Sequence, residues 1–187
     1  LTGSLRTENL FLGGTTDVDI VFVHAETPKV RRELIPLTPE FHLVIMHNPR
    51  SDYDKPKELR VHPWLGPELY DPQPLYVTQH FFEFVQAGVR DKFNEPGSVL
   101  TRASRLAAEA RQKWSELQLS ELPWPDLLLG YLHAVSLAAN SIALMNGGPL
   151  SERRFLLQFP ARAEEVVKPA LAEALLHLLG ADSVDVE

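Results

Sequence analysis

The sequence contains no cysteine and only two methionines among its 187 residues. A disulfide framework, a thiolate metal site and a cysteine nucleophile are thereby excluded. A chain without thiols fits a reducing compartment, so a cytoplasmic location is the expectation. Positive charge is also scarce. Eighteen Lys+Arg stand against 25 Asp+Glu, a formal net charge of −7. Residues 1–95 hold 10 basic and 14 acidic side chains, and residues 96–187 hold 8 and 11, so neither half is a basic module. Nucleic acid, whose binding needs a cationic face, is disfavoured as a partner. Long apolar runs are missing too. The longest uncharged stretch, Leu127 to Ser151, is interrupted by Gly130, His133, Ser136, Asn140, Ser141 and Asn146. That is too polar for a membrane span and reads as a buried helix, so no membrane partner is expected.

What is present changes character near residue 90. Asp17 to Val23 and Phe41 to His47 have the composition and length of strands. Lys57 to His62 alternates polar and apolar residues and is expected as a half-buried third strand. Asn48 to Pro56 is turn chemistry, so an antiparallel hairpin should join the last two strands. The second half has helical periodicity. Ser98 is placed to cap a helix reaching Leu117, with Ala103, Leu106, Ala110 and Trp114 on one stripe and Arg102 off it. Asp126 can cap a second helix ending at Gly147-Gly148. Ser151 opens a third, stopped near Pro160, and Pro169 to Leu179 makes a fourth before Gly180. The expected fold class is α+β: a small mixed sheet in residues 1–90, then an α-helical bundle in residues 91–187.

Chemistry concentrates at the first strand. Asp17 and Asp19 are two apart, so both carboxylates aim at the same face. Like charges held that close repel, and a divalent cation between them is the simplest relief. Upstream, Gly3-Ser4 offers a tight turn and a hydroxyl. A helix starting near Leu5 would present amides that favour phosphate. Gly3-Ser4, a gap of 12 residues, and Asp17-Val18-Asp19-Ile20 resemble the signature of the DNA polymerase beta-like nucleotidyltransferase superfamily. Thr16 stands where that family often has Ser or Thr. In layout the chain is similar to antibiotic and minimal nucleotidyltransferases, with a small α+β core followed by a helical domain.

The resemblance implies a Mg²⁺-dependent nucleotidyltransferase. Gly3, Ser4 and Thr16 would bind the nucleotide, an ATP-type triphosphate. Asp17 and Asp19 would bind Mg²⁺, which bridges phosphate oxygens and offsets the charge of the leaving pyrophosphate. An acceptor hydroxyl would attack the α-phosphate. The family carries a third carboxylate on a neighbouring strand, and Glu58 is chosen here as that catalytic and metal-binding acid. His62, Asp52 and Asp54 are its alternatives. The acidic surface points to a small cationic acceptor such as an aminoglycoside. Only Leu1-Thr2 precede Gly3, where the family has a helix and a strand, so further residues are expected upstream. The alternative is a catalytically inactive nucleotidyltransferase-fold protein that binds or regulates a partner, as in a toxin–antitoxin pair. The third acid separates the two.

Other polar groups have simpler readings. His42, His47 and His62 could hold zinc. However, His42 and His47 are five apart and face opposite sides of one strand, so hydrogen-bonded or surface histidines are favoured. His133, Ser136 and Asn140 form a ridge that is bonded within the bundle, faces solvent, or lines a cleft. Arg153 and Arg154 either pair with Glu152 or Glu164 or grip an anion. Tyr76, His80, Phe81, Phe82 and Phe84 read as an apolar seam between the two units. Two small units also leave apolar surface that a homodimer would cover.

Overall fold

Gly13 and Gly14 turn the chain into its first strand with φ of +61° and +79°. Side chains are strained there and glycine is not. The computed structural model describes residues 13–78, 80–150, 154–166 and 168–180. Three strands follow the turn: β1 (Thr16–His24), β2 (Arg32–Pro36) and β3 (Phe41–Pro49). Their order is β1-β3-β2, with β3 parallel to β1 and antiparallel to β2. Val18, Ile20, Val21 and Val23 supply the β-branched composition that suits a pleated, half-buried surface. The central strand β3 buries consecutive residues, Val44 and Ile45, on its two faces, whereas β2 is exposed along its whole length.

The expected hairpin does not form. Lys57 to His62 is not a strand; helix α1 (Pro56–Arg60) occupies most of it. Pro56 suits the first position of a helix, because its fixed φ is helical and its missing N–H is not needed there. Over so few residues, alternating polarity fits one helical turn as well as a strand. The antiparallel partner of β3 is β2 instead.

The chain divides into two compact units, Leu1–Arg60 with Glu68–Phe93, and Val61–Pro67 with Asn94–Glu187. Helix α2 (Leu65–Tyr70) lies at this division. In the first unit, α3 (Phe81–Arg90) buries Val85 and Val89. It approaches α1 so closely that a Cβ on Gly88 would stand 2.4 Å from the Pro56 Cβ. Arg60 fastens the pair, donating to the Gly88 carbonyl at 2.9 Å and to Asp91 at 2.7 Å.

The second unit contains α4 (Pro96–Gln118), α5 (Trp124–Ala143), α6 (Phe155–Glu165) and α7 (Ala170–Leu178). Ala103, Leu106 and Ala110 of α4 pack with Leu137 and Leu144. Val135, Ala139, Phe159, Ala163 and Leu175 join α5, α6 and α7 in a second cluster. The helix ends differ from expectation. Pro96 and Pro125 sit in the first positions of α4 and α5, so Ser98 and Asp126 lie inside the helices rather than at their caps. α5 stops at Ala143, before Gly147-Gly148. α6 runs through Pro160 rather than ending there, because Phe159 and Ala163 on either side of it are buried. Arg102, expected off the apolar stripe, is buried. Ser151 lies outside the described residues. Gly180, at φ +69°, follows the end of α7 as the sequence suggested. The architecture is α+β, a small mixed sheet with helices. Among the described residues no helix is long and apolar enough to cross a membrane.

Candidate functional site

The β1–β3 register sets Asp17 opposite His42 and Asp19 opposite Val44. Strand alternation puts both carboxylates on one face of the sheet. Asp17 Oδ1 lies 3.4 Å from His42 Nδ1. Arg32, opposite Met46 on β3, shares this face. Asp19 lies beside the buried centre of the sheet. Burial pushes its carboxyl up, the Asp17 charge pushes it further, and Arg32 opposes both.

A third carboxylate, Glu68 of α2, interacts electrostatically with Asp19. Burial pushes Glu68 above the usual carboxylate range, and the charge of Asp19 adds to the rise. Tyr53 is buried nearby, its hydroxyl accepting a 2.8 Å hydrogen bond from Asn48 Nδ2. Burial pushes that hydroxyl up to about 12 against the Asn48 bond, with smaller upward contributions from Glu68 and Asp52. Asp17, Asp19 and Glu68 thus form an electrostatically linked set within the first unit.

Glu58 is not part of that set. It lies on α1, is exposed, and pairs with Lys55 Nζ at 3.1 Å. The reason is the helix that replaces the expected strand. Asp52 pairs with Arg31 at 3.4 Å, and Asp54 is exposed. His62 falls in the second unit, where its Nδ1 accepts the backbone N–H groups of Leu65 at 3.0 Å and Trp64 at 3.2 Å. Thr16 is buried, and its own N–H donates to the Glu40 carbonyl at 2.8 Å. Gly3 and Ser4 lie outside the described residues. Glu68 was not anticipated. It is the sole acid of a short helix, and no spacing in the sequence ties it to Asp19.

His42 and His47 do lie on opposite faces, as their spacing requires. In the polar ridge, Asn140 is bonded within the bundle: its Oδ1 accepts from the Leu150 N–H at 2.7 Å. His133 is exposed. Arg153 lies outside the described residues. Of the aromatic run, Phe81 meets Tyr53 edge-on inside the first unit, while Tyr76 and Phe84 are exposed.

Family models, curated proteins and solved structures provide no match to this chain. Among the described residues no group of three or more His, Cys, Asp or Glu is placed to hold a metal ion. Mg²⁺ asks for less. It is commonly held by one or two carboxylates, with substrate phosphates and water completing an oxygen shell. Two carboxylates on one face, one of them raised by burial and then by the other's charge, suit such an ion.

Proposed function

We propose that the chain is a Mg²⁺-dependent nucleotidyltransferase, moving a nucleoside monophosphate from an ATP-type triphosphate to a hydroxyl acceptor. The observation that carries this reading is the Asp17/Asp19 pair, projecting from one face of β1 and electrostatically in conflict. Asp17 and Asp19 would hold Mg²⁺, which when bound supplies charge neutralisation at the phosphates. His42 Nδ1 stands 3.4 Å from the Asp17 carboxylate. Glu68 would take the proton-accepting role expected of Glu58, not its role as a metal ligand. An acid whose carboxyl is pushed up is better matched to accepting a proton from the acceptor hydroxyl. Gly3 and Ser4 would cradle phosphate, as the resemblance implies. The net charge of −7 favours a small cationic acceptor of the aminoglycoside kind.

The alternative is an inactive binding or regulatory protein of toxin–antitoxin type, whose ligand binding would not depend on Mg²⁺. Calorimetry with each nucleoside triphosphate, with and without Mg²⁺, tests the first reading on the native chain and on Asp17→Asn/Asp19→Asn. Binding should require Mg²⁺ and be lost in the double variant. Tight binding indifferent to both the metal and the substitutions would sink the catalytic assignment.

A further inference from the structure

A second polar cluster lies on the opposite face of the sheet. Phe22 stands opposite His47 in the β1–β3 register, and His24 projects from the same face as Phe22. Glu33 of β2 pairs with Ile45, which shares the face of His47. One polar side chain from each strand therefore meets here, at the C-terminal ends of β1 and β3. His24 Nε2 lies 2.8 Å from His47 Nδ1. His47 Nε2 lies 3.3 Å from Glu33 Oε1. Phe22 packs beside both rings, with centroids 5.7 Å from His47 and 6.5 Å from His24. The two histidines and Glu33 open onto a cavity of about 450 Å³, completed by the loop that leaves β1.

We infer that His24 and His47 bind a first-row divalent cation of the Zn²⁺, Cu²⁺ or Ni²⁺ type through the two nitrogens that face each other. As the chain stands, one proton joins those nitrogens. Both become ligands if His24 carries its proton on Nδ1 and His47 carries its own on Nε2. No proton then has to leave the pair. Glu33 Oε1, 3.3 Å from Nε2, makes no hydrogen bond to it as the chain stands, and a small turn of the Glu33 side chain, 45% exposed, brings it into line. A carboxylate behind a metal-binding imidazole is the usual device for fixing its tautomer and its ring plane. Tetrahedral coordination needs the nitrogens about 3.3 Å apart and both lone pairs meeting at the metal. The rings now face each other head-on across centroids 5.1 Å apart, so the nitrogens part by roughly 0.5 Å and each ring turns by roughly 35°. Imidazole suits these cations and does not suit Mg²⁺, which prefers oxygen. The site is therefore distinct from Asp17/Asp19 in chemistry as well as in position. Two protein nitrogens leave coordination positions facing the cavity, where water or an anionic ligand can enter.

Zn²⁺ titrated calorimetrically into the full chain tests the site, with Co²⁺ absorption reporting nitrogen ligation. One Zn²⁺ per chain is expected, with excess Mg²⁺ unable to compete. His24→Ala and His47→Gln should each weaken binding at least tenfold, and Glu33→Gln by about 10–100-fold. The Asp17→Asn/Asp19→Asn chain should bind Zn²⁺ as the native chain does. The His47 side chain is 12% exposed and lies within β3, so circular dichroism checks that variant, and His24, at the end of β1, decides the matter. Zn²⁺ affinity unchanged in folded His24→Ala overturns the inference. So does binding lost only with Asp17 and Asp19, or no binding by the folded native chain at millimolar Zn²⁺.

Discussion

At the scale of single residues, polar groups owe their roles to the backbone groups they meet. Asn140 is 1% exposed and accepts the Leu150 N–H. Asn140→Ala strands that donor in the interior, which costs about 1–3 kcal/mol and lowers the urea midpoint accordingly. His62 works similarly, its Nδ1 taking two backbone N–H groups at the start of α2. That role requires a neutral ring. Burial lowers the His62 pKa, the Arg105 charge lowers it further, and Glu109 opposes them. The unfolded chain therefore takes up this proton at a higher pH than the folded one. The stability contribution is whole above the ordinary value of 6.5 and is lost as pH falls through the lowered folded value. Denaturant titrations across that range should show the loss in the native chain and a flatter profile in His62→Asn, which keeps an acceptor but does not titrate. Glu68 belongs to the chemistry instead. Glu68→Gln should leave Mg²⁺-dependent triphosphate binding intact and lower turnover by about 10²–10⁴-fold in a pyrophosphate-release assay. Glu58→Gln should change neither.

At the scale of elements, legibility followed the length of the repeating pattern. α4 and α7 were readable because several turns of periodicity, or a terminal glycine, agreed with one another. β1 is readable from dense β-branched composition, and β3 from its unbroken apolar run Leu43 to Met46. α1 resembles a strand in sequence because one helical turn and a short strand share the same alternation. β2 leaves no pattern in the sequence because Arg32–Pro36 is exposed and buries no face. α6 continues past Pro160, where the sequence suggests a stop. There, burial of Phe159 and Ala163 outweighs a local penalty of about 3 kcal/mol. Pro160 itself is exposed, so replacing it loses no core contact. Pro160→Ala restores an N–H to the Leu156 carbonyl. It should stabilise the chain by about 1–3 kcal/mol, read as a higher Tm with unchanged helical content.

At the scale of the whole molecule, the carboxylates set function against stability. The Asp17/Asp19 pairing was legible because a period of two is a local property of any strand. Glu68 was not, since only the fold carries a helix some fifty residues later in sequence to the neighbourhood of Asp19. Burial and Asp17 raise the Asp19 carboxyl in the folded state. Its ionised form is thus less welcome in the folded chain than in the unfolded one. Stability from this group is whole below the ordinary value of 3.8 and is lost as pH rises through the raised folded value. Near neutral pH the native chain bears that cost, and Asp19→Asn should relieve it. After solvent screening, the gain is on the order of 0.5 kcal/mol. Mg²⁺ should reverse the ranking. It stabilises the native chain by mass action on its bound form and leaves Asp19→Asn nearly unchanged. Thermal melts at neutral pH should therefore show the variant melting higher without Mg²⁺. The gap should close or invert as Mg²⁺ and triphosphate are added. A variant less stable than the native chain in chelator would mean that Asp19 is held by a favourable ion pair, and the metal reading of the pair would lose its physical basis.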